Sequence, residues 1–221
     1  YNAGRHITSG NQNVAIGRFA QQGHHPTVGS TITGTGNNSV GNETLLNLDG
    51  GGSYNSAFGF KALRGDSTTK LTGSHNTGIG YQTGHSLSTG QNNVLNGYRA
   101  GFNITSGDNN IAVGKEAMSQ GATTGDNNIA IGTLAGESLV DGAENVTIGK
   151  WAGREIITTG GTVAIGGGAM RWGTGADNIV IGQGAAGGST FTGQQNVAIG
   201  KGSGGSLSSG GNNVVIGTSC G

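Results

Sequence analysis

A five-residue unit, Asn-apolar-small-apolar-Gly, returns along almost the whole chain, and this repetition constrains the fold more than any other feature. It reads Asn-Val-Ala-Ile-Gly at 13–17, Asn-Ser-Ala-Phe-Gly at 55–59, Asn-Thr-Gly-Ile-Gly at 76–80, Asn-Val-Leu-Asn-Gly at 93–97 and Asn-Ile-Ala-Val-Gly at 110–114. Further copies lie at 128–132, 145–149, 162–166 (with Thr162 in place of Asn), 178–182, 196–200 and 213–217. A copy read as starting at Asn38 is one residue short before Gly41. From Gly80 to Gly217 the closing glycines are spaced 16 to 18 residues apart. Period-2 alternation inside the unit specifies a short strand, and the spacing leaves no room for a crossover helix. Each period therefore reads as one coil of a parallel β-solenoid, pairing with coils above and below at ~4.8 Å.

The expected fold is all-β: a single β-solenoid domain over 1–221, a β-roll of about twelve 17–18-residue coils. The coils are longer and irregular over 18–75 and regular over 76–221. A second, weaker strand in each coil is expected at positions such as 86–88, 103–105, 138–140, 156–158, 190–192 and 206–208. Turns of the form Gly-Asp-Asn-Asn (107–110) or Gly-Gly-Asn-Asn (210–213) precede the unit. Glycine and asparagine tolerate positive φ at such corners, and asparagines stacked from coil to coil can hydrogen-bond along the axis as a ladder. The single proline, Pro26, falls in the longest coil.

Alternation also divides the strand residues into two faces. The first and third, such as Ile129 and Ile131, are large and β-branched and are expected to face the interior. The middle residues, Ala15, Ala57, Ala112, Ala130, Ala164 and Ala198 with Val180 and Val215, are then expected to point outward. A flat outward apolar stripe implies cover by another subunit. A second small-residue slot lies three positions after the closing glycine: Ala20, Ala62, Thr83, Ala100, Ala117, Ala135, Ala152, Ala169, Ala185 and Ser203, with Cys220 in the last coil.

Composition removes several function classes. Eleven basic and eleven acidic residues give zero net charge, which supplies no electrostatic reason to bind nucleic acid or an anionic membrane. No apolar run approaches the ~18 residues of a membrane span, so no membrane insertion is expected. One cysteine excludes an internal disulfide framework. Because the chain opens on Tyr1, it is expected to be a processed product or a segment of something longer.

Few side chains suggest chemistry. His24 and His25 resemble a metal pair but lack acidic or cysteine neighbours, and Cys220 occupies a repeat slot with no histidine near it in sequence. Asp108 and Asp126 share a corner of adjacent coils and could hold a cation, whereas Glu144 and Asp177 read as solvated corner charges. Lys115, Lys150 and Lys201 follow their glycines at the opposite corner. The aromatics there (Tyr81, Tyr98, Trp151) are candidates for sugar contact, but 5% aromatic content suggests no continuous track. Gly-x-Gly triplets precede no helix and read as solenoid turns. The carboxylates form no acid/base pair. No catalytic, metal or cofactor site is expected, and the chain reads as a non-enzyme.

The Asn-Val-Ala-Ile-Gly-x-x-Ala-Gly unit with Gly-[Asp/Gln]-Asn-Asn connectors resembles the repeat region of bacteriophage tail-fibre proteins. Stretches like Gly-Tyr-Gln-Thr-Gly at 80–84 and Gly-Tyr-Arg-Ala-Gly at 97–101 are common in that region. It also resembles the related YadA-like head repeats of trimeric autotransporter adhesins. The likeness covers nearly the whole chain and departs at 18–75 and at Asn96, read as replacing an interior apolar residue. It implies a left-handed parallel β-roll assembled as a homotrimer. The implied function is host-surface attachment from a virion, alongside other tail proteins, through a host cell-surface glycan or protein receptor. A bacterial adhesin head, displayed outside the cell, is the alternative, and a polysaccharide-degrading tailspike is a third reading.

Overall fold

The computed structural model describes residues 2–23, 31–65, 70–188 and 190–221. His24, His25 and Pro26 lie outside the described residues. The chain forms two compact units, Tyr1–Asn110 and Ile111–Gly221. The first holds β1 (Val14–Ile16), β2 (Asn38–Val40), β3 (Ser56–Phe58), β4 (Thr77–Ile79) and β5 (Val94–Asn96). The second holds β6 (Ile111–Val113), β7 (Ile129–Ile131), β8 (Val146–Ile148), β9 (Val163–Ile165), β10 (Ile179–Ile181), β11 (Val197–Ile199) and β12 (Val214–Ile216). Within each unit every strand pairs in parallel with the strand of the next coil. The register sets middle residue on middle residue: Ala57 on Gly78, Ala130 on Thr147, Val180 on Ala198. The described residues contain strands, bridges and turns and no helix. The chain is an all-β parallel β-solenoid.

The copy expected to be one residue short is full length. β2 begins at Asn38, and Asn37 takes the position that Asn55 takes in the next coil. The expected second strand does not form: among the described residues that side of the coil carries only isolated parallel bridges in a few coils, such as Leu48 to Leu71 and Gly173 to Phe191. Its one large apolar residue is nevertheless buried, as at Leu87, Ile104, Leu139, Ile156 and Phe191. A lone apolar residue between serines, threonines and glycines anchors that side of the coil without extending into a strand.

The two strand faces are the reverse of the expectation. The middle residues point inward: Ala57, Ala112, Ala130, Ala164, Val180 and Ala198 are buried. The first and third residues point outward, with Ile131 38% exposed and Ile79 42%. Interior space explains the inversion. The middle residue lies against the position six residues later in its own coil, as Ala130 does against Gly136 and Leu95 against Gly101. The slot row (Ala62, Thr83, Ala100, Ala117 and their equivalents) is buried as well. So narrow an interior has no room for two β-branched side chains per strand. Asn96 accordingly lies on the outside, exposed, and disturbs no core.

Volumes at the two facing positions are traded in several coils, while in others, such as Ala130 with Gly136, residues of the neighbouring coils (Met118 and Thr147) approach the space. A large middle residue meets a glycine (Leu95 and Gly101, Thr147 and Gly153). A small one meets a large partner (Ala57 and Leu63, Ala112 and Met118, Ala164 and Met170). The fourth coil has glycine at both places because its neighbours fill the space. A Cβ on Gly78 would stand 2.6 Å from Leu63 Cγ, and one on Gly84 would stand 2.7 Å from both Leu63 Cδ2 and Leu95 Cδ1. Gly78→Ala should therefore overpack the coil and cost about 1–3 kcal/mol in chemical denaturation, despite replacing a glycine within a strand. Combining it with Leu63→Ala should show a favourable coupling of roughly 0.5–3 kcal/mol. Strict additivity of the two changes would contradict this packing.

The closing glycine of each unit is required for two reasons. Gly149 has φ +126, outside the range that L side chains adopt readily, and a Cβ there would lie 2.7 Å from the carbonyl carbon of Gly166. Coils stack directly on one another at this corner.

Candidate functional site

The unit's asparagine builds the structural spine. The Oδ1 of Asn55 accepts from the backbone N–H of Asn76 at 2.9 Å and from its Nδ2 at 3.1 Å. Asn76 Oδ1 does the same for Asn93, Asn128 for Asn145 and Asn178 for Asn196. Each Nδ2 also donates to a turn carbonyl, such as that of Gly90 from Asn76 and of Gly142 from Asn128. These side chains are buried and doubly satisfied, as buried amides must be. The expected ladder is present. Thr162 interrupts it: its N–H still donates to Asn145 Oδ1, but its hydroxyl donates to the Gly175 carbonyl and no amide passes the chain of bonds onward.

Outside the sheet, the first and third strand residues align in two rows. In the second unit all fourteen, two from each of seven strands, are valine or isoleucine, and each is half-buried or exposed. They form a flat aliphatic strip roughly 30 Å long at ~4.8 Å per coil. In the first unit the same rows are mixed, with Asn38, Ser56, Thr77 and Asn96 among Val14, Ile16, Val40, Phe58, Ile79 and Val94.

The corner after the closing glycine carries the remaining chemistry. Phe60, Tyr81 and Tyr98 stack with ring centroids 5.4 and 5.3 Å apart and planes within 15°. A continuous aromatic row thus exists where the sequence suggested none. Its ring faces are largely spent on one another, so mainly edges are left for solvent. His85 stacks on Phe102 at 4.9 Å and Tyr54 on His75 at 5.0 Å. In the second unit the equivalent corner is cationic and indole-rich. Lys150 Nζ lies 4.0 Å from the Trp151 ring centroid, and Arg171 Cζ lies 4.3 Å from Trp151 and 4.6 Å from Trp172.

The carboxylates are held by cations or lie in solvent. Glu137 is 4% exposed and accepts from Arg154 and Gln120, a buried clamp that no motif in the sequence marks out. Glu43 faces Arg64 at 3.2 Å and Lys61 at 3.7 Å. Asp108 accepts from the Gln91 N–H at 2.7 Å, and Asp126 is exposed. Glu144 and Asp177 occupy equivalent exposed corners with φ near +60, just before the ladder asparagine. Lys115 lies 3.8 Å from Glu116, and Lys201 is exposed. Cys220 is a partly exposed free thiol in its slot. Among the described residues no three histidine, cysteine or acidic side chains gather as metal ligands.

The fold and surface together define a class: a glycine-rich parallel β-solenoid with an internal asparagine ladder and an aliphatic outer face. No family model and no curated protein matches this chain.

Proposed function

We propose that this chain is a structural and adhesive fibre segment of a phage tail fibre or similar virion appendage. In this reading three copies assemble as left-handed solenoids into a stiff rod that serves attachment to a host cell surface. The observation that carries the reading is the outer strip of fourteen aliphatic residues in the second unit. A water-facing sheet alternates apolar inside with polar outside, whereas this one is aliphatic on its exterior. Soluble monomers rarely keep such a contiguous patch uncovered. Val/Ile positions repeating at a regular spacing let the strips of parallel copies lie side by side in register, so further copies of the same chain are its natural cover. Three is the copy number implied by the tail-fibre and adhesin-head resemblance. The trimer interface is thus assigned to the Val/Ile rows instead of the alanines. Tight glycine corners and the buried ladder leave few openings for proteases, which suits an extracellular shaft.

Attachment without catalysis has a direct test. Incubated with a panel of bacterial surface polysaccharides, the assembled chain should retain a subset of them and leave their chain length unchanged. Shortened polymer would overturn the reading in favour of a tailspike.

A further inference from the structure

After β9 the chain runs Gly166-Gly167-Gly168, and the next coil places Gln183 and Gly184 at the corresponding corner. The coil before has Lys150 and Trp151 at those positions, so one row of side chains is interrupted for a single coil and the other ends at Trp151. A Cβ added at Gly167, Gly168 or Gly184 would meet no atom within 4 Å. The gap is an open surface notch of about 370 Å³, walled by Lys150, Trp151, Arg171 and Gln183 over a glycine floor. Its volume falls in the lower part of the roughly 300–1,000 Å³ range of small-molecule sites.

Two cations meet there without a counter-charge. Lys61, Arg64, Lys70, Lys115 and Arg154 each face a carboxylate. Lys150 and Arg171 face none among the described residues. Arg171 Nε is shielded from solvent and has no hydrogen-bond acceptor, so the guanidinium's hydrogen-bonding capacity toward an incoming oxygen lies at its Nη groups. Both cations rest on the Trp151 indole, which fixes their heads beside the notch.

The geometry points to a binding site for an acidic saccharide unit, a pyranose bearing a carboxylate. The carboxylate accepts from the Arg171 guanidinium, whose fork geometry suits two parallel bonds, and Lys150 adds a point charge. With Lys150 and Arg171 over its ring, Trp151 offers the apolar edge of its indole to the sugar's C–H groups, and the Gln183 amide can bond its hydroxyls. The bare glycine floor lets the sugar approach the backbone. A lone inorganic anion has no use for the indole wall, and a neutral sugar leaves both cations unanswered. This assignment names a ligand class for the attachment role proposed above and rests on that reading. The two fail separately, because the titration below reads binding of a single sugar while polymer cleavage and assembly are read elsewhere.

The test follows the Trp151 indole N–H resonance of the full chain at constant ionic strength, titrated with glucuronate, glucose and inorganic phosphate. Glucuronate should saturate the signal in the millimolar range, with glucose and phosphate each about tenfold weaker or more. Arg171→Gln should weaken glucuronate by about tenfold. Gly167→Gln refills the notch with a side chain that meets no obstacle at its base, so it should abolish saturation with the melting temperature unchanged. Equal affinity for glucuronate and glucose, or phosphate binding as tightly as glucuronate, would overturn the site. So would the absence of saturation by roughly 50 mM or undiminished binding by Gly167→Gln. Should Gly167→Gln melt early, Arg171→Gln decides alone: unchanged affinity there refutes the assignment.

Discussion

Ala130→Lys should unfold its coil. Ala130 is 1% exposed, and its Cβ lies 3.5 Å from where a side chain on Gly136 would begin, so the interior has no room for a lysine. The substitution drives a long cationic side chain into a space sized for a methyl group. Overpacking and the burial of an unpaired charge act together, and the expected loss is about 4 kcal/mol or more. The neighbouring change Ile131→Ala removes a side chain that is 38% exposed and should cost the isolated chain only about 1 kcal/mol. Urea titrations followed by circular dichroism separate the two. If Ala130→Lys melts like the parent while Ile131→Ala collapses, the facing assigned to the strands is wrong.

The second large effect belongs to the ladder. Asn145 donates through its backbone N–H and its Nδ2 to Asn128 Oδ1, donates again to the Thr159 carbonyl, and accepts from the Thr162 N–H. Asn145→Leu is similar in volume but leaves the buried Thr162 N–H and the part-buried Thr159 carbonyl without their partner. Each orphaned group costs about 1–3 kcal/mol, so a total loss near 3–5 kcal/mol is expected in denaturant titrations. The reciprocal change, Thr162→Asn, restores an amide where the ladder breaks, and should stabilise by about 1 kcal/mol. A destabilised Thr162→Asn would mean that the interruption is enforced by packing and is not a missing bond.

The repeat made the strands, their parallel stacking and the ladder legible, because each depends on which residue recurs at which spacing. Facing was not legible by the same route. Period-2 alternation shows that Ile129 and Ile131 share a face, but it does not say which face is inside. The rule that large apolar residues go inward fails when the interior is too narrow for two large side chains per strand and the exterior is aliphatic as well. A signal was nonetheless present. In several coils the middle residue and the one six positions later vary in opposite senses, as in Leu95 with Gly101 and Ala112 with Met118, and such compensation is expected only of side chains that share a confined space. The Lys150–Trp151–Arg171 notch escaped for another reason: the triplet 166–168 reads as a turn, and only stacking shows that it removes side chains from a row its neighbours fill.

Sedimentation equilibrium on the parent chain and on an Ile148→Lys/Ile165→Lys variant tests the outer face most directly. Both residues are half-buried on the exterior of adjacent strands β8 and β9. In a free chain lysines there can carry their ammonium groups into solvent and should change its stability by no more than about 1 kcal/mol each. Within an assembly they would place six charges, two from each of three chains, into an apolar seam. The account predicts the mass of three chains for the parent, and that of one chain for the variant with its β-sheet circular dichroism retained. A parent that sediments as a single chain at micromolar concentration, or a variant that keeps the parent's assembled mass, would contradict it.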